Sequence, residues 1–203
     1  GFPVMPHFPA RIIRDKAMLA DWIARYRGEA DVKQGLILAG GLAQPAGEFD
    51  SSMQLLETGL FDGFERLHVA GHPEGNKDID PDGSDRMVME AARWKQAFAE
   101  RTDAKMAMAT QFCFEAKPVI DWVNRLNAEG IRLPVHIGVA GPAKLQTLIK
   151  FAIACGVRER GGALLPARGD QDQRNLGHRA WRQIRRSGLP SLRNWWKYDP
   201  HCT

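Results

Sequence analysis

Apolar strand-like runs alternate with helical stretches along most of this chain, and that alternation restricts the fold more than any other feature. The runs cover residues 32–39, 67–70, 105–112 and 133–139, and helical spacing of apolar groups covers residues 11–27, 51–60, 85–100, 118–129 and 143–155. Runs that are apolar on both faces and are joined through helices are typical of parallel strands with helical crossovers. The sequence therefore predicts an α/β protein with a parallel sheet.

The composition is that of an ordinary soluble globular protein, with 44% hydrophobic and 26% charged residues in a chain of 203. It has no run of about 18 apolar residues and no signal-peptide pattern, so we expect a cytoplasmic protein. Cys113, Cys155 and Cys202 are odd in number and widely spaced, which argues against disulfides and a zinc site. We expect the first two to be buried as small hydrophobic groups, and we predict no metal site.

The basic charge is concentrated towards the C-terminus. Residues 158–203 carry ten Lys and Arg against four Asp and Glu, whereas residues 1–157 carry 18 against 20. The alternation of strands and helices also stops at residue 157, and only residues 176–186 beyond it have the pattern of a short basic helix. We therefore divide the chain into a (β/α)-type domain, residues 1–157, and a basic Arg- and Trp-rich tail, residues 158–203.

Polar clusters follow two of the strand-like runs. His72, Glu74 and Asn76 come directly after the second run, and Thr110 and Gln111 lie at the end of the third. Ligands of parallel α/β proteins bind at the carboxyl ends of the strands, so both clusters are candidate ligand-binding groups. The structural alternatives are a rigid turn after the second run and a locally hydrogen-bonded amide at the third. His72 and Glu74 are too close together and too isolated to indicate a metal site.

Three other positions have both a functional and an ordinary interpretation. Gly40-Gly41 lets the backbone approach a ligand closely, but the same pair also makes an ordinary turn. The neutral amide of Gln111 both donates and accepts, which suits a flavin, nicotinamide or pterin ring. Lys95 lies near the end of its predicted helix and is by default a solvated charge.

Four segments together resemble the methylenetetrahydrofolate reductase family, whose members are flavin-dependent (β/α)8 TIM barrels. These are Pro-His at 6–7, Val-Ala-Gly-His-Pro-Glu-Gly at 69–75, Thr-Gln-Phe-Cys-Phe at 110–114 and His-Ile-Gly-Val-Ala-Gly-Pro at 136–142. The resemblance runs through residues 4–157. It implies an incomplete barrel in which the family's second to sixth strands are recognisable.

The resemblance implies an oxidoreductase of one-carbon metabolism and methionine biosynthesis. Members of the family reduce 5,10-methylenetetrahydrofolate to 5-methyltetrahydrofolate, with electrons passing from NADH or NADPH through FAD. The implied partners are a folate substrate and a nicotinamide nucleotide; a homo-oligomer is compatible with the family, and a membrane is not expected. The hydride chemistry belongs to FAD, so the protein would mainly orient the cofactor and tune its electrostatics.

The resemblance also assigns cofactor-binding residues. His7 would contact the flavin at the end of the family's second strand, and Gly40 and Gly41 would lie against the isoalloxazine ring. His72 would flank the flavin where many members carry tyrosine. Asn76 would occupy a position often held by histidine.

The remaining implied residues bind the diphosphate and the substrates. Lys95 matches a lysine that reaches the FAD diphosphate, which contrasts with its interpretation as a solvated charge. Asp50 is a further implied cofactor-binding residue. Gln111 matches a glutamine that binds the pterin and the nicotinamide in turn, and Gly141 and Leu145 are the other implied substrate-binding residues.

The chain departs from the family at its catalytic groups, so no catalytic residue is assigned. The family's glutamate lies on a first strand that would precede Gly1. Many members carry Arg-Gly-Asp where this chain has Ala39-Gly40-Gly41, so the carboxylate that tunes the flavin and binds folate is missing. Leu145 stands where the family has a substrate-stacking phenylalanine.

The tail lies outside the resemblance, and we interpret it as disordered or as the translation of a shifted reading frame. A different class of function is nucleic-acid binding through this basic segment, with Trp181, Trp195 and Trp196 as stacking groups. That alternative is less favoured because no recognition motif accompanies the charge. Further alternatives are a flavin barrel with another substrate, suggested by Gly41, and an inactive fragment.

Overall fold

The computed structural model describes residues 3–113, 115–139, 182–189 and 192–193, and helices alternate with strands along them. The helices are α1 (Lys16–Ala30), α2 (Ser52–Glu57), α3 (Arg86–Ala99) and α4 (Ala116–Ala128). The strands are β1 (His7–Pro9), β2 (Gln34–Leu38), β3 (Arg66–Gly71), β4 (Lys105–Cys113), β5 (Val135–Val139) and β6 (Leu192–Arg193).

The strands belong to one sheet in which each strand neighbours the next one along the chain. Within the described residues the order is β1-β2-β3-β4-β5-β6. The pairs β1–β2, β2–β3 and β5–β6 are parallel, and Leu36 of β2 lies opposite His7 on one side and His68 on the other. Parallel neighbours need crossover connections, which α1 to α4 supply between successive strands. The prediction of an α/β protein with a parallel sheet is confirmed, whereas closure into a (β/α)8 barrel stays a prediction.

The first helix begins later than its apolar spacing predicts. Residues 10–12 form a short 3-10 turn, and α1 begins at Lys16 because the Asp15 carboxylate accepts the N–H of Met18 at 2.7 Å. This is a standard N-cap, and it fixes where the helix starts. Ile12, which the helical pattern places on the apolar side, is 40% exposed.

Capping residues decide the second helix boundary as well. Asp50 and Ser51 are both residue types that favour the N-cap position, and the structure selects Ser51 as the N-cap of α2. Its hydroxyl accepts the N–H of Gln54, while the Gln54 side chain accepts the N–H of Ser51, which is a complete capping box. Asp50 is thereby left outside the helix.

The described residues divide into two compact units. The first lies within Gly1–Ala70 and Arg93–Met108, and the second lies within Gly71–Ala92 and Ala109–Thr203. The elements β3, α3 and β4 each contribute residues to both units.

The core of the first unit is built around Phe8 of β1, which is fully buried. Its ring meets those of Tyr26, Phe61 and Phe64 edge-to-face, with centroids 5.5, 5.1 and 6.2 Å apart. Gly35 of β2 leaves room for this ring, because a Cβ at residue 35 would lie 2.9 Å from its Cε2 atom. Aromatic packing therefore anchors the start of the sheet.

The core of the second unit includes one face of α4. Val119, Val123 and Leu126 are buried at the spacing of a single helix face. Ile184, in a helical stretch at residues 182–186, is also buried, with 1% exposure. Cys113 of β4 is buried as expected.

The tail contributes a helical stretch that the sequence favours and a strand, β6, that it does not suggest. Residues 182–186 are helical, within the range that the sequence favours for a helix, and β6 pairs in parallel with Val135 and His136 of β5. A two-residue strand formed by non-local pairing leaves no period for sequence reasoning to detect. The predicted helix at 143–155 lies outside the described residues. None of the described helices is both long and apolar enough to cross a membrane.

Candidate functional site

The loop after β2 carries Gly40 and Gly41 and is fixed against the chain that follows β1. The N–H of Arg11 donates to the carbonyl of Ala39 at 2.8 Å, and the N–H of Ala46 donates to the carbonyl of Arg11 at 2.8 Å. One residue thus bonds the backbone on both sides of the glycine pair. The pair lies directly beyond the carboxyl end of β2, which is where the sequence predicts it.

The Arg11 side chain reinforces this anchoring and involves Asp50. Its Nε donates to Asp50 Oδ1 at 2.7 Å, and its Nη1 donates to the carbonyl of Leu42 at 2.9 Å. The side chains of Arg11 and Asp50 are 20% and 60% exposed. Asp50, an implied cofactor-binding residue, therefore serves here as the partner that orients the guanidinium. Arg11 was not among the predicted residues.

The two glycines differ in what they require. Gly40 has φ +97°, a left-handed conformation that favours glycine, and a Cβ there would lie 3.1 Å from Cβ of Pro9. Gly41 does not have a positive φ, and a Cβ there would meet no atom within 4 Å. Gly40 is thus needed for the turn, whereas Gly41 leaves an open, exposed position.

His7 is not at the end of its strand, as the resemblance implies, but at its start. The strand β1 begins at His7 and continues to Pro9, and the parallel register pairs Pro9 with Leu38 at the carboxyl end of β2. His7 is exposed at the opposite end of β1 from the glycine pair. The expected position of His7 at the strand end is therefore wrong, because the strand extends two residues beyond it.

Lys95 is buried, so its default interpretation as a solvated charge is wrong. The residue is 6% exposed, and its Nζ donates to the carbonyl of Ala70, near the carboxyl end of β3, at 2.9 Å. No carboxylate of the described residues lies within ion-pair distance of this Nζ. Burial lowers the pKa of Lys95 to about 8, because a poorly solvated site disfavours the charged amine.

The ammonium group of Lys95 has three N–H donors, and one of them is satisfied by the described residues. A buried cation without a counter-charge is costly, which is why such groups pair with anions or lose their proton. The arrangement is therefore suited to an anion that reaches the end of β3. Such an anion would supply both the missing charge and the missing acceptors.

In the second unit, Asn76 organises a turn in the loop after β3. Its side-chain oxygen accepts the N–H of Asp78 at 2.8 Å, and its backbone carbonyl accepts the N–H groups of Ile79 and Asp80. The carbonyl of His72 accepts the N–H of Gly75 in the turn before it. The turn that the sequence offered as the structural alternative is thus present, and the cofactor-binding roles of His72 and Asn76 stay predictions.

Sequence reasoning missed Asp80, whose carboxylate holds the same loop to the start of α3. Asp80 is 3% exposed and accepts the N–H groups of Met87 and Val88, both at 3.0 Å, and the hydroxyl of Ser84 at 3.2 Å. Burial acts to raise the pKa of Asp80, but these hydrogen bonds hold it below its ordinary value. Asp80 precedes α3 by six residues, too far for the local spacing of an N-cap to reveal it.

Gln111 is exposed on β4, and its side-chain amide makes no hydrogen bond with the described residues. Its backbone carbonyl accepts the hydroxyl of Thr110 at 2.7 Å and the thiol of Cys113 at 3.4 Å. The Thr110 hydroxyl also accepts the N–H of Gly138, on β5, at 3.1 Å. The backbone at Gln111 is therefore held by its neighbours, while the amide is available to a ligand. Gly141 and Leu145 lie outside the described residues.

A cleft of about 460 Å³ in the first unit lies elsewhere. Its lining includes Leu56, Asp62, Phe98, Arg101 and Asp103, which belong to the segments that precede β3 and β4. This cleft contains none of the predicted site residues.

The structure thus brings together some predicted residues within each unit. The first unit holds the glycine pair with Asp50, and it also holds Lys95 at the end of β3. The second unit holds Gln111 with Thr110. No family model matches the chain, so membership of the methylenetetrahydrofolate reductase family stays a prediction.

Proposed function

We propose that this chain is a cytoplasmic flavoprotein of the methylenetetrahydrofolate reductase type, and that its parallel sheet is part of a (β/α)8 barrel. The proposed reaction transfers a hydride from NADH or NADPH, through FAD, to 5,10-methylenetetrahydrofolate and gives 5-methyltetrahydrofolate. The proposal rests on the resemblance of residues 4–157 to that family and on the environment of Lys95.

The environment of Lys95 is the observation that supports the proposal most strongly. A lysine with a solvated or purely structural role would be exposed or paired with a carboxylate. Lys95 instead has a buried Nζ that bonds one backbone carbonyl, and the two donors that no described residue satisfies suit an anion at the carboxyl end of β3. A diphosphate is such an anion, and Lys95 is the residue that the resemblance assigns to the FAD diphosphate.

The other residues have properties suited to their proposed parts. Bound FAD would supply the redox chemistry by taking a hydride from the nicotinamide and giving it to the one-carbon group. The loop after β2 is fixed through Arg11, and Gly41, where a Cβ would meet no atom within 4 Å, leaves the backbone open to close approach of an aromatic ring. The amide of Gln111, which has no hydrogen-bond partner among the described residues, offers one acceptor and two donors to a nicotinamide or pterin ring.

A second candidate function is a flavin-dependent reductase with another electron acceptor. Its support is Gly41, where the family carboxylate is replaced by hydrogen and where a side chain would meet no neighbour within 4 Å. Without that carboxylate the site lacks the group that would bind the polar pterin edge. An uncharged acceptor such as a quinone has no need of it.

The experiment that tests the flavin assignment is a titration of the purified full chain with FAD, followed by the visible absorbance of the flavin. We expect saturable binding, weakened about tenfold to 100-fold in Lys95→Met because a charge-assisted contact is lost. The matched control is Lys105→Met, since Lys105 is exposed on β4. Absence of binding in the wild type, or equal affinity in the Lys95 and control variants, would contradict the proposal.

The two candidate functions are separated by the oxidation of NADH in the presence of FAD. Methylenetetrahydrofolate and menadione are offered as alternative acceptors. Turnover with the folate supports the first candidate, and turnover with menadione alone supports the second.

A further inference from the structure

The backbone carbonyl of Gln111 is contacted from three directions within the second unit. The hydroxyl of Thr110 and the thiol of Cys113 both donate to it, at 2.7 and 3.4 Å. Gly138 approaches so closely that an added Cβ would lie 2.9 Å from the same oxygen. These side-chain contacts to the carbonyl come in addition to the pairing of β4 within the sheet. They fix the backbone of Gln111, whose side-chain amide has no partner among the described residues.

The Thr110 hydroxyl lies at the centre of this cluster. It accepts the N–H of Gly138 at 3.1 Å, which leaves its single proton for the carbonyl of Gln111, and it lies 3.6 Å from the sulfur of Cys113. The thiol of Cys113 donates to the same carbonyl. Burial, assisted by the nearby charge of Glu74, raises the pKa of Cys113 to about 12, so the thiol stays protonated and able to donate.

Gly138 sets how closely β5 approaches β4 at this level. A Cβ at residue 138 would lie 2.9 Å from the carbonyl oxygens of both Thr110 and Gln111, which is closer than real Cβ contacts occur. Glycine inside a strand commonly marks a close approach of another backbone. The absence of a side chain here is therefore what allows the N–H of Gly138 to reach the Thr110 hydroxyl.

We propose that Thr110, Cys113 and Gly138 are positioning residues for Gln111: they fix its backbone, and with it the point from which the side-chain amide reaches a planar ring with an amide or lactam edge. That edge is the chemistry shared by nicotinamide and pterin, so this proposal rests on the proposed function. An amide that extends from a fixed backbone forms two hydrogen bonds to such an edge without the further cost of ordering the strand beneath it, which is how preorganisation raises affinity.

A purely structural role for the cluster predicts something different. In that case removal of the Thr110 hydroxyl would weaken folding, and its effect on ring binding would not depend on the side chain at residue 111. If Thr110 instead positions Gln111, removal of the Thr110 hydroxyl must no longer weaken ring binding once Gln111 is replaced by alanine. A double-mutant cycle measures this dependence directly.

The experiment measures the dissociation constant of folic acid on the full chain in the presence of FAD, for the wild type, Thr110→Val, Thr110→Ser, Gln111→Ala and the Thr110→Val/Gln111→Ala double variant. Valine has the shape of threonine without its hydroxyl, and serine keeps the hydroxyl. We expect Thr110→Val to raise the dissociation constant about threefold to tenfold, which is the effect of one net hydrogen bond. We expect Thr110→Ser to bind like the wild type, and the valine change to have no effect in the Gln111→Ala background. An equal loss in both backgrounds, or a serine variant as weak as the valine variant, would overturn the proposal.

A second measurement does not depend on any ligand. In protein labelled with ¹⁵N only at glutamine, the backbone N–H resonance of Gln111 is identified by its loss in Gln111→Ala, and its ¹⁵N relaxation reports how ordered the backbone is. We expect an ordered backbone at Gln111 in the wild type and in Thr110→Ser, and a more mobile one in Thr110→Val. Equal backbone mobility in all three would overturn the positioning role. Failure of folic acid to bind the wild type, with the ordering intact, would instead contradict the proposed function.

Gly138→Ala is the variant with the largest expected effect on this cluster. Its Cβ must displace β5 from two carbonyl oxygens, so the N–H of Gly138 can no longer reach Thr110. We expect at least the loss in folic acid binding that Thr110→Val gives, about threefold to tenfold. Unchanged binding in a folded Gly138→Ala variant would contradict the proposal.

Discussion

Replacement of Lys95 by methionine is expected to change how the stability of the protein depends on pH. In the folded chain, burial lowers the pKa of Lys95 from 10.5 to about 8. The unfolded chain binds this proton more tightly, so carrying the charge opposes folding at pH values below 8. The penalty decreases as the pH rises from 8 towards 10.5. Methionine has a similar length and no charge, so the variant lacks the penalty at every pH.

The magnitude follows from the difference between the two pKa values. At about 1.4 kcal/mol per pKa unit, the shift corresponds to a penalty of about 3 kcal/mol at pH 7 and of about 1.4 kcal/mol at pH 9.5. Loss of the hydrogen bond to Ala70 offsets about 1 kcal/mol of the gain in the variant. We therefore expect Lys95→Met to be more stable than the wild type by about 2 kcal/mol at pH 7, and we expect the two to be nearly equal at pH 9.5.

Urea unfolding followed by circular dichroism at the two pH values measures this difference, with Lys105→Met as the control for loss of an exposed lysine. The reasoning is refuted if the stability difference between Lys95→Met and the wild type stays constant, within about 0.5 kcal/mol, from pH 7 to pH 9.5. Added FAD gives a further test, because a diphosphate beside the ammonium would offset the cost of burying its charge and remove the gain of the variant at pH 7. A gain that persists in saturating FAD would contradict the diphosphate role of Lys95 but not its burial.

Three other predictions concern the loops. Gly40→Ala is expected to destabilise the chain by about 1–2 kcal/mol because Gly40 has a positive φ. Its matched control, Gly41→Ala, should change the free energy of unfolding by less than about 0.5 kcal/mol. Equal effects of the two changes in thermal melts would contradict the structure of this turn. Gly41→Asp is expected to fold normally and to increase turnover of methylenetetrahydrofolate relative to menadione, since it restores a carboxylate at an open position; an unchanged ratio of the two rates would count against the folate assignment. Asp80→Asn is expected to cost about 1–3 kcal/mol at pH 7, because the charged acceptor of the Met87 and Val88 N–H groups is lost. The folded pKa of Asp80 lies below its unfolded value, so its stabilisation is complete above the unfolded pKa and is lost as the pH falls through the folded one. The difference between this variant and the wild type should therefore shrink in acid, and a difference that is independent of pH in urea titrations would refute the assignment.

The order and type of the main elements could be predicted from the sequence because they depend on local patterns. Apolar runs predicted β2 to β5, and the helical spacing of apolar groups before Gly130 predicted α4. These signals act over a few residues and need no knowledge of distant partners. The start of α1 and the strand β6 were missed for the opposite reason. An Asp15 cap overrode the apolar pattern at Ile12, and β6 exists through its pairing with β5.

The candidate site residues show the same contrast between what local sequence patterns predict and what non-local contacts determine. The sequence by itself determined which chemistry the strands carry near their carboxyl ends: a glycine pair after β2, a short polar turn after β3 and the amide of Gln111 on β4. Only the tertiary structure decided that Lys95 is buried against Ala70, that Arg11 fixes the glycine loop, and that Asp80 reaches the start of α3. Burial and long-range hydrogen bonds depend on tertiary contacts across loops and between neighbouring strands. Residue type and local spacing do not specify those contacts. The charge state of Lys95 depends on its solvation in the folded chain, so the property that bears most on function is determined by tertiary packing.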